Sequence, residues 1–174
     1  MTLRQILTEP NEILRKKSFK VEEVNDDIRK LMDDMLETMY AAPGIGLAAI
    51  QVGVPKRVIV LDISRKDEPK KPMFLINPEI ISKSDDQLTY EEGCLSVPGQ
   101  FAEIDRPDKC HISYVDYDGH QKEIKAEGMI ATCIQHEMDH LEGVLFIDYL
   151  SKLKKTMIVK KLSKQKKELE RIVV

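Results

Sequence analysis

Residues 110–141 read CHISYVDYDGHQKEIKAEGMIATCIQHEMDHL, and this stretch decides the class of fold. Its first half holds two extended runs, Cys110–Tyr117 and Gln121–Ala126, joined through Asp118-Gly119. Glycine there tolerates the positive φ that a tight hairpin requires, so the runs are predicted to pair antiparallel. The second half, Met129–Leu141, follows Gly128 and contains neither Pro nor Gly, which predicts a helix.

Working outward, Asn25–Tyr40 places Ile28, Leu31, Met32, Met35, Leu36 and Met39 at helical spacing behind the cap candidates Asn25 and Asp26. This predicts an amphipathic helix whose methionines fill the core. After the loop Ala42–Gly46, the segments Arg57–Ile63, Met73–Ile76, Ile80–Ser82 and Leu88–Tyr90 read as strands between turn residues. Beyond the central helix, Leu153–Leu169 carries Leu153, Met157, Ile158 and Leu162 at helical intervals. The order helix, strands, helix, helix gives an α+β fold rather than alternating βαβ units. The expected arrangement is antiparallel β-sheets around the Met129–Leu141 helix, with N-terminal helices and a basic C-terminal helix.

At 174 residues, 42% hydrophobic and 33% charged, the chain is expected to form one domain spanning 1–174, neither disordered nor membrane-embedded. No apolar run approaches the roughly 18–20 residues needed to cross a bilayer. The start, MTLRQILTEPNEILRKKS, has no apolar core and carries Glu9 and Glu12, which argues against a secretory or transit peptide. Cys94, Cys110 and Cys133 cannot all pair within one chain and read as thiols of a reducing cytoplasm. The formal net charge is -3 but unevenly placed: residues 148–174 hold nine cations against three anions, and residues 1–147 hold 18 against 27. That basic helical extension is either a solvated face or a contact for RNA or another anionic surface.

The central helix contains His136-Glu137-Met138-Asp139-His140, an H-E-x-x-H pattern. At 3.6 residues per turn the second histidine stands only about 40° from the first, so both imidazoles can reach one metal ion. Glu137, about 100° from His136, can address a water beside that metal without being a ligand. The third ligand separates the known classes. Phe146 stands where a metzincin needs histidine, and of the downstream glutamates Glu142, Glu168 and Glu170, two lie in the lysine-rich tail. Upstream, Cys94 sits in Glu91-Glu92-Gly93-Cys94-Leu95-Ser96-Val97-Pro98-Gly99, a short extended segment bracketed by turn residues. A Cys/His/His set would leave a fourth position open for water.

Three segments, Gly44-Ile45-Gly46-Leu47-Ala48-Ala49-Ile50-Gln51, Glu92-Gly93-Cys94-Leu95-Ser96 and Gln135-His136-Glu137-Met138-Asp139-His140, resemble in order the signatures of the bacterial peptide deformylases. The likeness extends to Leu145-Phe146-x-Asp148 and the basic C-terminal helix. It implies hydrolysis of the N-formyl group from nascent polypeptides that begin with formylmethionine. It also implies one Fe(II), replaceable by zinc, nickel or cobalt, on Cys94, His136 and His140. Glu137 would then act as general base and acid, with the Gln51 side-chain amide and the Leu95 N–H as oxyanion donors. Gly44, Ile45, Gly46, Glu92, Gly93, Met129 and Cys133 would line the substrate cleft, and the basic helix would contact the ribosome.

The residues themselves leave rivals open. Cys133, at i−3 from His136, shares its helical face and competes with Cys94 as ligand, although a ligand from a separate segment closes a tripod better. A closed structural zinc site would add Cys110 or His111 and make Glu137 irrelevant. Gly44-Ile45-Gly46 lacks a following Lys-Ser/Thr and is no phosphate loop. Arg106, Glu91 and Glu92 are the expected partners for the outward nitrogens of the histidines.

Overall fold

The computed structural model describes residues 2–172. Its helices and strands run α1 (Asp26–Ala41), β1 (Gly46–Ala48), β2 (Val58–Leu61), β3 (Met73–Lys83), β4 (Gln87–Cys94), β5 (Val97–Pro107), β6 (Lys109–Val115), β7 (Gln121–Glu127), α2 (Met129–Leu141) and α3 (Lys152–Ile172). Short 3-10 turns occur at Glu12–Arg15, Ala49–Val52 and Phe146–Tyr149. The architecture is the expected α+β, with one five-stranded sheet in the order β1-β2-β3-β6-β7 and a separate β4-β5 hairpin. All the pairings between these strands are antiparallel.

The run VIVL in β2 shows why the layers form. Successive side chains point to opposite faces of a strand. Val58 and Val60 cluster with Ile28, Leu31, Met32, Met35 and Met39 of α1. Ile59 and Leu61 cluster instead with Ile134, Met138 and Leu141 of α2. The sheet is therefore covered on both faces, and each fully buried methionine of α1 contributes about 1.5–3 kcal/mol. Asn25 caps α1 by accepting from the Ile28 N–H at 3.1 Å, with Asp26 and Asp27 favourably placed at the helix N-terminus.

A third cluster, Val97, Ile104, Leu145, Phe146, Ile147 and Leu162, joins the β4-β5 hairpin to the last turn and α3. Helix α2 lies between this layer and the large sheet, so it is buried almost all round. That is unusual for a helix carrying Gln135, His136, Glu137 and His140, since each buried polar group needs a partner.

Several boundaries differ from the sequence reading. Met73–Ile76 and Ile80–Ser82 belong to one strand, β3, with register shifts between Ile76 and Glu79, where Asn77 has a φ of 49°, and between Ile80 and Ser82. Leu88–Tyr90 lies in the first half of the longer β4, and β5 is a strand that the sequence pattern does not predict. The β6-β7 hairpin has a five-residue loop, so β6 ends at Val115 rather than Tyr117; Asp116 Oδ1 closes the loop by accepting from the Asp118 and His120 N–H groups. The N-terminal helices reduce to α1 and the Glu12–Arg15 turn. Residues 146–149 form the last 3-10 turn, so the helical extension begins at Lys152 rather than 148, and its final residues 173 and 174 lie outside the described residues.

Candidate active site

The β4-β5 hairpin turns at Leu95-Ser96 and presents Cys94 to α2. Pairing passes from Gly93 opposite Phe101 to Cys94 opposite Val97. Pro98–Gln100 therefore leave the ladder, with Gly99 at φ 70°. Such a bulge re-aims the neighbouring side chain. On α2 the i, i+4 spacing brings His136 and His140 together, ring centroids 5.2 Å apart. Cys94 Sγ lies 3.3 Å from His140 Nε2, and one ligand atom from each of Cys94, His136 and His140 falls within 4.8 Å of the others. Tetrahedral metal bonds of 2.0–2.3 Å separate ligand atoms by roughly 3.4–3.6 Å, so the three donors fit a single cation with little movement.

His136 Nδ1 stands 2.8 Å from Glu92 Oε2. In the neutral ring, donation from Nδ1–H to that carboxylate leaves Nε2 free to take a cation beside Cys94 and His140. Burial disfavours a charged His136, but Cys94 and Glu92 outweigh it and hold its pKa above the ordinary value. Burial and the neighbouring His136 push His140 the other way, keeping it neutral. Burial opposes ionisation of Glu92 too, yet His136 and Arg106 keep it a carboxylate.

Glu137 is buried, and its Oε2 has no hydrogen-bond partner. Burial raises its pKa to about 7, partly opposed by His136. Its carboxylate packs against the backbone of Gly46, where a Cβ would collide with Oε1. Gln51, 1% exposed, is fixed at both ends of its amide. Oε1 accepts from the Ala48 N–H at 2.8 Å, while Nε2 donates to Ser96 Oγ at 3.0 Å and approaches Cys94 Sγ at 3.5 Å.

These groups border a cleft of about 480 Å³. Gly44, Ile45 and Gly46 line it from the β1 side, Gly93, Leu95 and Phe101 from the hairpin, and Met129 and Cys133 from α2. Glu92 reaches the cleft, but both its oxygens are taken by Arg106 and one also by His136. Its carboxylate is therefore committed to supporting the imidazole, while the residue lines the cleft. Glu91 is exposed and outside that network. Cys133 turns its thiol toward Ile45 O, at 3.8 Å, and burial drives its pKa well up; it is not among the three donor atoms that converge. Cys110 lies in the core under the large sheet, and His111 pairs with Glu123 at 2.8 Å. Neither closes the site. The sequence pattern does not single out Ser96, Asp139 and Tyr149, which join the site through chain-distant contacts to Gln51 and Arg106.

The constellation can hold a divalent cation and move a proton beside it. The sequence profile of the family described as polypeptide deformylase matches residues 3–156. The chain is 65% identical to the peptide deformylase of Pelagibacter ubique over all of both chains. It is 61% identical to that of Maricaulis maris over 98% of each. The crystal structure of peptide deformylase from Ehrlichia chaffeensis superposes with a TM-score of 0.92 at 43% identity, covering 96% of this chain and 98% of that one. The same protein in complex with actinonin gives 0.91 at 45% identity, covering 95% and 98%.

Proposed function

The chain belongs to the polypeptide deformylase family, enzymes that remove the N-formyl group from nascent peptides, and on that premise we propose that Cys94, His136 and His140 hold its cation and Glu137 handles the proton. The observation that carries this reading is the approach of one sulfur and two imidazoles within 4.8 Å, beside a buried carboxylate with a free oxygen. A divalent cation held there supplies Lewis acidity, polarising the formyl oxygen and acidifying a water. Glu137, with a pKa near that of the medium, takes a proton from the nucleophile and returns it to the departing amine. The Gln51 amide, held in one orientation, and the Leu95 N–H donate to the developing oxyanion, each worth on the order of 10²–10³ in rate.

Gly44, Ile45 and Gly46 pair with the peptide backbone, Gly93 lets it approach, and Ile45, Met129 and Cys133 receive the methionine side chain. The resident metal is Fe(II), with zinc, nickel or cobalt able to replace it, and the thiolate and ferrous ion together make the enzyme oxygen-sensitive. Residues 1–174 act as one catalytic domain in the cytoplasm, with the basic α3 as the ribosome contact. Among the described residues no helix is long and apolar enough to cross a membrane.

Formate release from a formylmethionyl peptide by anaerobically prepared protein tests the proposal. Glu137→Gln should retain the metal, measured by elemental analysis, while turnover falls by roughly 10²–10⁴. Undiminished turnover would remove Glu137 from the mechanism.

A further inference from the structure

Behind His136 a line of contacts leads outward that the chemistry above does not use. Both Glu92 oxygens accept from Arg106, from Nε at 2.5 Å and from Nη2 at 3.0 Å. The third guanidinium nitrogen, Nη1, donates to Asp139 Oδ2 at 2.8 Å. That same oxygen accepts from the Tyr149 hydroxyl at 2.8 Å, and Nη1 also lies 3.5 Å from the hydroxyl. The tyrosine ring supports the guanidinium, with Cζ 4.9 Å from its centroid. Glu92 and Arg106 are buried, their side chains 5% and 4% exposed, whereas Tyr149 is 52% exposed.

Resting on the metal-site reading, we propose that Tyr149 is a positioning residue for His136, acting through Asp139, Arg106 and Glu92. A guanidinium is a planar fork, and two of its nitrogens already grip Glu92. The remaining freedom is rotation of that plane, which would carry the carboxylate with it. Tyr149 stops the rotation twice, through its ring against the guanidinium and through its hydroxyl on the carboxylate that takes Nη1. Asp139 cannot serve alone, because it lies on α2 between the two histidines and moves with them. Tyr149 comes from a different element, the Phe146–Tyr149 turn. From that turn Phe146 also stacks on the His136 ring, centroids 6.3 Å apart and planes at 24°. One turn thus braces the imidazole on its face directly and at Nδ1 through the polar line. An exposed ion pair would contribute little; here the outer Tyr149–Asp139 hydrogen bond is exposed, but the Arg106–Glu92 and Glu92–His136 links that pass the restraint on are buried.

The test measures how fast a chelator strips zinc from the loaded protein, and which ring nitrogen of His136 keeps its proton in the metal-free protein once the pH has been raised until the ring is neutral, read from side-chain 15N shifts. Tyr149→Ala should accelerate zinc loss roughly tenfold, as removal of outer hydrogen-bond partners of ligating histidines does. It should also convert a single Nδ1–H tautomer into a mixture. Tyr149→Phe, which keeps the ring, should show a smaller change of the same kind. Ile28→Ala, on α1 across the sheet, serves as a destabilised control matched for Tm and should change neither reading. Zinc loss within twofold of the parent with an unaltered tautomer, or equal acceleration in Ile28→Ala, would overturn the proposal. Failure of the parent protein to release formate would instead refute the catalytic reading and leave the tautomer measurement standing.

Discussion

A Cβ on Gly46 would stand 2.9 Å from Cδ of Glu137 and 3.0 Å from its Cγ, so a methyl there has to move the carboxylate. Displacement of a reacting group by about 1 Å costs on the order of 10² in rate. Gly46→Ala is therefore expected to lower kcat by about that factor with metal content and Tm nearly unchanged; a kcat within twofold of the parent would show that Glu137 need not lie against Gly46. The glycine was legible in the sequence as a place of close approach, but its neighbour was not, because Glu137 lies 91 positions away in the chain. The choice between Cys94 and Cys133 shows the same limit. Helical periodicity places Cys133 on the face of His136, yet only the packing of α2 against β1 turns its thiol toward Ile45.

At the scale of elements, patterns with one strong period were readable. Helices α1 and α2 and the β6-β7 hairpin each follow from spacing, capping or a turn residue. Strand β5 did not, because VPGQFAEIDRP mixes Pro, Gly and charges and is set by pairing with β4 rather than by alternation. Helix α1 also carries a polar device that periodicity hides. Asp34, with a side chain 2% exposed, accepts from the Thr2 N–H, Arg4 and Lys30 and so ties the N-terminal segment to the helix. Burial opposes its ionisation, but the Thr2 N–H, Lys30 and Arg4 hold its pKa below the ordinary value. A depressed folded-state pKa gives stability that is fully present above the unfolded pKa of about 3.9 and fades as pH falls through the folded one. Asp34→Asn should cost about 1–3 kcal/mol at pH 7, and the gap should narrow as the pH drops below about 4. A gap independent of pH would mean that the charge contributes nothing.

Over the whole molecule, the two covered faces of the large sheet and the hairpin layer enclose α2, and that enclosure buries the polar side chains of an H-E-x-x-H helix beside the cleft. Helix α3 adds a different property. Leu162 anchors it in the cluster with Val97, Ile104 and Phe146, leaving Lys160, Lys161, Lys164 and Lys167 exposed. Changing these four to Gln should leave formate release from a free peptide within twofold of the parent. Ribosome affinity should fall and lose part of its salt dependence; equal affinity and salt slope would make α3 a solvated face. The central claim is that one sulfur and two imidazoles share a single cation. X-ray absorption at the zinc edge of zinc-loaded protein tests it most directly. One sulfur at about 2.3 Å with two imidazole nitrogens and one further light atom at about 2.0–2.1 Å is expected, whereas two sulfurs, no sulfur or a third imidazole would contradict it.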